Sequence, residues 1–183
     1  NILLSLTLNA KGYKNFGNFT QTGEKKFIQS ISKDLMICID VGANVGKYTN
    51  LLLSETNSEI ISFEPLKEAF KELQKKEKEY PNRLKVFNYA IGEDNTNLEL
   101  NFSDEKSEKA TFSKDIDKLS FFEHEKNKKL MTKILTLDNF FLENSSLINN
   151  KDIDLIKIDT EGFELEVIKG AKETIKNKKP KYI

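Results

Sequence analysis

Scarcities narrow the field before any motif is read. A single cysteine, Cys38, excludes a disulfide framework, and its place inside an apolar run marks it as a small packing residue. Arg83 is the sole arginine among 29 basic residues, and lysine lacks the planar fork that reads phosphate or guanine bidentately. The formal net charge is +0, with 29 acidic residues against those 29 basic ones, so no long-range field draws the chain to a polyanion or an anionic membrane. Nucleic-acid partners are disfavoured. Long hydrophobic runs are missing too: Ile2-Leu3-Leu4-Ser5-Leu6 is too short for a membrane span and lacks a basic flank and a cleavage pattern. The expectation is a soluble protein of a reducing compartment, the cytoplasm.

What is present is an alternation of helical and extended patterns in 183 residues, enough for one domain with a sizeable core. Gly23–Asp34 has apolar residues at helical spacing and leads into the apolar run Leu35–Ile39. Tyr48–Leu53 reads as a helix, Glu59–Phe63 as a strand, Leu66–Tyr80 as an amphipathic helix and Leu84–Ile91 as a third strand. Between Asn95 and Thr136 the period shortens, predicting an antiparallel insertion with a mobile polar middle. Asp138 is a candidate N-cap for the next helix, Ile153–Asp159 the fourth core strand, and Glu164–Asn177 a final helix burying Leu165, Ile168, Ala171 and Ile175. Such β-α alternation calls for an α/β fold with a mostly parallel sheet flanked by helices. The expected division is an extension over 1–22 and one domain over 23–183; no internal repeat is evident.

The chemistry concentrates where strands end. Asp40-Val-Gly-Ala-Asn-Val-Gly lies between a strand and a helix, and a turn this tight needs the freedom of Gly42 and Gly46. Eighteen residues on, Glu64 closes the second strand, where a carboxylate accepts from both hydroxyls of a ribose. An adenosine-containing ligand follows, although an ordinary βαβ turn with a chance carboxylate fits the same letters. Asn44 stands where a nicotinamide-binding loop carries its second glycine, and Asp40 repels a diphosphate while suiting an ammonium. S-adenosylmethionine, with an ammonium, a ribose and no phosphate, is therefore the expected cofactor, held by Asp40, Gly42, Ala43, Asn44, Gly46 and Glu64.

Lys157 and Asp159 break an otherwise apolar strand and share a face, joined by Glu161 if the extended geometry persists. Either they form an ion pair that solvates the strand end, or they belong to a site at the rim reached by Asp40, Glu64 and Asp159 together. If the reaction takes a proton from an alcohol, the candidate bases are Asp159, Glu161 and His124, the only histidine. The two carboxylates have an alternative role as ligands of a divalent cation that orients an acceptor diol.

Taken together, Asp40 to Thr49, Phe63-Glu64-Pro65, Asn88 to Gly92, Leu137-Asp138 and Ile153 to Glu164 through Lys169-Gly170-Ala171 resemble the FkbM-type methyltransferases from about Gly23 to Pro180. The resemblance implies a Rossmann-like class I methyltransferase fold, S-adenosylmethionine dependence and O-methylation of a sugar, glycan or related metabolite. It also implies that the segment around Asn88 and Ala90 lies near the adenine. Pro180-Lys181-Tyr182-Ile183 reads as the opening of another buried strand, so the fold's C-terminal strands are expected beyond this chain, which reads as an excerpt of a longer polypeptide. Two other functions compete: a nicotinamide-dependent oxidoreductase, and a non-catalytic relative that binds a partner through the insertion.

Overall fold

Four parallel strands form the centre of the computed structural model, which describes residues 23–102, 110–112, 128–148 and 151–183. They are β1 (Ile37–Val41), β2 (Glu59–Phe63), β3 (Leu84–Phe87) and β8 (Leu155–Ile158), in the spatial order β3-β2-β1-β8. All three pairings are parallel, as chain crossovers through helices require. One face packs against α1 (Gly23–Ile31), α2 (Lys47–Glu55) and α3 (Lys67–Glu79) through Cys38, Ile60, Leu84 and Leu155, with Ile28, Leu52 and Leu73 opposite. The other face packs Ile39, Phe63 and Ile156 against α4 (Leu137–Glu143), α5 (Glu164–Lys169) and the start of α6 (Lys172–Lys178). Phe140 of α4 makes edge-to-face contacts at 4.7 Å with both Phe63 and Phe87. This α/β architecture, with the sheet buried on both faces, is the Rossmann-like one expected.

The second sheet orders its strands β4 (Ala90–Ile91), β7 (Lys128–Leu135), β5 (Thr96–Phe102) and β6 (Ala110–Thr111). β5 pairs antiparallel with β7 and β6, while β4 pairs parallel with β7. Leu100 and Phe102 fasten this sheet onto Leu66 and Ala69 at the start of α3, so the insertion leans over the same end of the central sheet where the glycine loop emerges. The expected mobile middle of the insertion and the extension over 1–22 fall mainly outside the described residues.

Several expected elements change form for local reasons. Leu84–Ile91 is not one strand: it breaks at Asn88-Tyr89, where the Asn88 amide donates to the carbonyls of Glu64 (2.8 Å) and Pro65 (2.9 Å), and β4 leaves for the second sheet. The first helix ends in a 3-10 turn, Ser32–Asp34, and the first strand runs two residues later than expected. The last helix divides at Gly170, which lies so close to Gly92 that a Cβ there would sit 1.8 Å from the Gly92 carbonyl oxygen. Leu165 and Ile168 are consequently exposed, at 59% and 41%, and Val167 takes the buried position instead. Thr136, not Asp138, caps α4, accepting from the Asn139 N–H at 3.0 Å. The Asp138 carboxylate reaches across to α6 and accepts from the N–H groups of Glu173 (3.0 Å) and Thr174 (2.7 Å). At the other edge Tyr182 pairs in parallel with Leu155, with its N–H 3.0 Å from the Asp154 carbonyl, so the segment expected to open another strand does extend the central sheet.

Candidate active site

The carboxyl ends of β1, β2 and β8 open into a cavity of about 520 Å³, within the range that takes a nucleoside-sized ligand. One wall is the glycine loop. Gly42 has φ +76°, Asn44 φ +50° and Gly46 φ +85°, a left-handed sequence that turns β1 into α2 within five residues. Every backbone N–H of this loop is used internally. Gly42 and Ala43 donate to the Phe63 carbonyl (3.1 and 3.0 Å), Asn44 to Glu64 Oε2 (2.7 Å), Val45 to Asn44 Oδ1 (2.5 Å) and Gly46 to the Ala43 carbonyl (2.9 Å). A loop arranged this way offers no nest of free donors to a pyrophosphate.

Glu64 faces it at the end of β2, 4% exposed, with Oε1 accepting from the Leu66 N–H at 2.8 Å. Burial pushes its carboxyl up to about 7, against the two backbone hydrogen bonds, which pull it down. Each oxygen keeps a second acceptor direction for a ligand hydroxyl. The sign of the resulting pH dependence is fixed. Between pH 4.5 and 7 the folded chain holds a proton that the unfolded chain releases, so raising the pH over that window costs the ligand-free protein up to about 3 kcal/mol. Melting temperatures between pH 5 and 8 therefore fall more steeply in the natural chain than in Glu64→Gln; parallel curves would show that Glu64 does not titrate there.

Asp40 lies behind this wall, one residue inside β1, fully buried and not among the cavity-lining residues. Its Oδ2 accepts from Thr49 Oγ1 (2.7 Å), which also meets Ser62 Oγ at 2.9 Å. Its Oδ1 is 3.1 Å from the Lys157 ammonium, its register partner on β8, yet no donor is aligned on it as a hydrogen bond. Lys157 does line the cavity, donating to the Gly42 carbonyl at 3.0 Å and passing 3.7 Å from Asp159 Oδ2, with the Tyr48 ring 5.6 Å away. Burial draws the Lys157 ammonium down, but Asp40 and Asp159 outweigh it, and the net shift is upward.

Asp159 and Glu161 occupy the exposed rim on the loop after β8. Glu161 has φ +53° and Gly162 φ +98°, and Glu164 holds this turn by accepting from the N–H groups of Thr160 (2.9 Å) and Gly162 (3.1 Å). Partial burial raises the Glu164 carboxyl, but hydrogen bonds from its own backbone, Thr160 and Gly162 prevail and hold it below the ordinary range.

The cavity thus gathers Gly42, Ala43, Asn44, Glu64, Ala90, Asp159 and Glu161 of the expected set. Gly46 serves the turn and the packing of Leu73, and Asn88 serves the strand break, so neither faces the cavity; His124 lies outside the described residues. Tyr89 lies in the segment expected near the adenine, whereas Glu24 on α1, Tyr48 and the Phe112–Phe163 pair, whose rings are 4.8 Å apart, are unforeseen neighbours. Phe163 was within reach of sequence reasoning, being four residues past Asp159; Glu24 and Phe112 carry no local signal. Among the described residues no group of three or more histidine, cysteine, aspartate or glutamate side chains is arranged to hold a metal ion.

No curated protein matches this sequence at a significant level. Residues 40–183 match the family model described as the methyltransferase FkbM domain, a span that contains the glycine loop, Glu64 and the Lys157–Glu164 segment. On that match, over most of its length, the chain belongs to the FkbM methyltransferase family.

Proposed function

We propose that the chain is an S-adenosylmethionine-dependent O-methyltransferase whose acceptor is a hydroxyl on a sugar, glycan or related small metabolite. The observation that carries the cofactor is the pairing of a buried ribose-type carboxylate, Glu64, with a glycine loop whose N–H groups are all used internally. Charge supports it: the lining holds four carboxyls, Glu24, Glu64, Asp159 and Glu161, against the ammoniums of Lys47 and Lys157. That balance favours a sulfonium cation over a diphosphate. The donor set and the volume fit the cofactor. Glu64 would hold the ribose, and Ala90 and Tyr89 would flank the base.

When bound, the cofactor supplies a methyl group already activated on sulfur, which leaves the protein alignment and the removal of one proton. The carboxylates of Asp159 and Glu161 on the rim are the groups that take this proton from the acceptor hydroxyl. Tyr48, whose hydroxyl is pushed up by burial and by Asp40, stays a protonated donor in the same wall.

Titration calorimetry with S-adenosylmethionine and, separately, NAD tests this reading. Saturable binding of the first alone is expected. Binding of NAD alone would move the chain to the oxidoreductases, and binding of neither by a folded chain would make it an interaction module. Glu64→Ala is expected to weaken cofactor binding about 100-fold, from two hydrogen bonds to a charged acceptor. In the natural chain affinity should rise with pH, up to about tenfold per unit below 7, and level off above it, because the ribose hydroxyls need the ionised carboxylate. A flat profile would count against that contact.

A further inference from the structure

The sequence suggested that Asp40 receives the ammonium of the amino-acid end of the cofactor; the geometry points elsewhere. Asp40 is fully buried, and the charge beside it is already that of Lys157, 3.1 Å from Oδ1. A second ammonium approaching along the cavity would meet Lys157 before it met Asp40, and like charges repel.

Lys157, by contrast, has capacity left. An ammonium carries three N–H donors. Among the described residues one of them has an aligned acceptor, the Gly42 carbonyl at 3.0 Å; Asp40 Oδ1 is close but not aligned, and Asp159 Oδ2 at 3.7 Å is beyond hydrogen-bond reach. A side chain only 16% exposed that lines a cavity with unspent donors is placed to take an anionic oxygen from a ligand. Its raised pKa keeps it charged. The glycine loop also gives the cavity a polarity: Glu64, an acceptor, is bonded to the Asn44 N–H, and Lys157, a donor, to the Gly42 carbonyl. S-adenosylmethionine has the opposite polarity, with a hydroxyl-donor ribose at one end and a carboxylate at the other.

We infer that Lys157 is a cofactor-binding residue that receives the α-carboxylate of S-adenosylmethionine. The assignment rests on the proposed function and sharpens it. Asp40 then acts as a positioning residue: with Thr49 it anchors the ammonium that faces the ligand.

The test is calorimetric and needs no turnover. On the natural full chain, decarboxylated S-adenosylmethionine should bind about 10- to 100-fold more weakly than S-adenosylmethionine, the loss of one charge-assisted contact. The double variant Asp40→Asn/Lys157→Gln removes both charges together, so no buried charge is orphaned. It should lower the affinity for S-adenosylmethionine to that of the decarboxylated analogue and leave the analogue's own affinity within about threefold. Equal affinity of the two compounds for the natural chain overturns the assignment, as does a folded double variant that weakens both equally. Absence of any S-adenosylmethionine binding by the folded natural chain overturns the functional reading itself, and this assignment with it.

Discussion

Asp159→Ala is expected to lower kcat by about 10²- to 10⁴-fold, the span for loss of a general base, while the cofactor Kd changes by less than about threefold. The dissociation follows from position. The Asp159 side chain is 66% exposed on the rim, and Lys157, at 3.7 Å, keeps the Gly42 carbonyl and Asp40 as partners when it is gone. The fold should barely notice, and an unchanged melting temperature separates a chemical role from a structural one. The measurement is steady-state methyl transfer to whichever hydroxyl acceptor a sugar screen yields, with Glu161→Gln alongside. Full turnover in Asp159→Ala, with a comparable collapse in Glu161→Gln, would hand the proton to Glu161.

Gly42→Ala acts on the fold instead. At φ +76° a side chain is disfavoured by about 1–2 kcal/mol, and the new Cβ would sit 2.0 Å from the Asp159 carbonyl oxygen, a backbone atom that cannot rotate away. Adding overpacking of about 1–3 kcal/mol gives a destabilisation of about 2–5 kcal/mol, a large share of a domain's margin. Urea unfolding of the ligand-free protein reads it directly. Gly162→Ala is the control: φ is +98° but nothing lies within 4 Å, so only the conformational cost of about 1–2 kcal/mol remains. Equal losses at the two sites would mean that β1 and the turn after β8 can separate without penalty.

The parts of this molecule that sequence reveals are those set by short-range chemistry. The strand, the glycine turn and the helix from Ile37 to Glu55 announce themselves by composition, and Glu64 by its distance from the loop. What escaped needs partners far along the chain. Nothing in the apolar stretch Leu84–Ile91 marks a break at Asn88, because the break comes from carbonyls of Glu64 and Pro65, 24 and 23 residues away. Asp138 has the composition of an N-cap for its own helix and caps another, 35 residues on. Lys157 was visible as a misfit in a buried strand, but its pairing with Asp40 depends on β1–β8 register, which alternation alone does not supply. Glu24 belongs to the same class: a charged residue at a helix start faces the cavity only because α1 packs where it does.

That packing separates two boundaries usually assumed to coincide. The family match starts at residue 40, whereas Ile28, fully buried, and Ile31 lie in the same core as Leu52, and Gln29 and Lys25 tie α1 to Glu55 at 2.8 and 3.1 Å. A fragment trimmed to residues 40–183 would lose Ile37, Cys38 and Ile39 of β1 together with α1, would give up the burial of Ile28, about 1.5–3 kcal/mol on its own, and would remove Glu24 from the cavity lining. Two chains identical from Asp40 onward but with different leading helices would share the glycine loop and Glu64 yet differ in the charge that position 24 brings to the cavity wall.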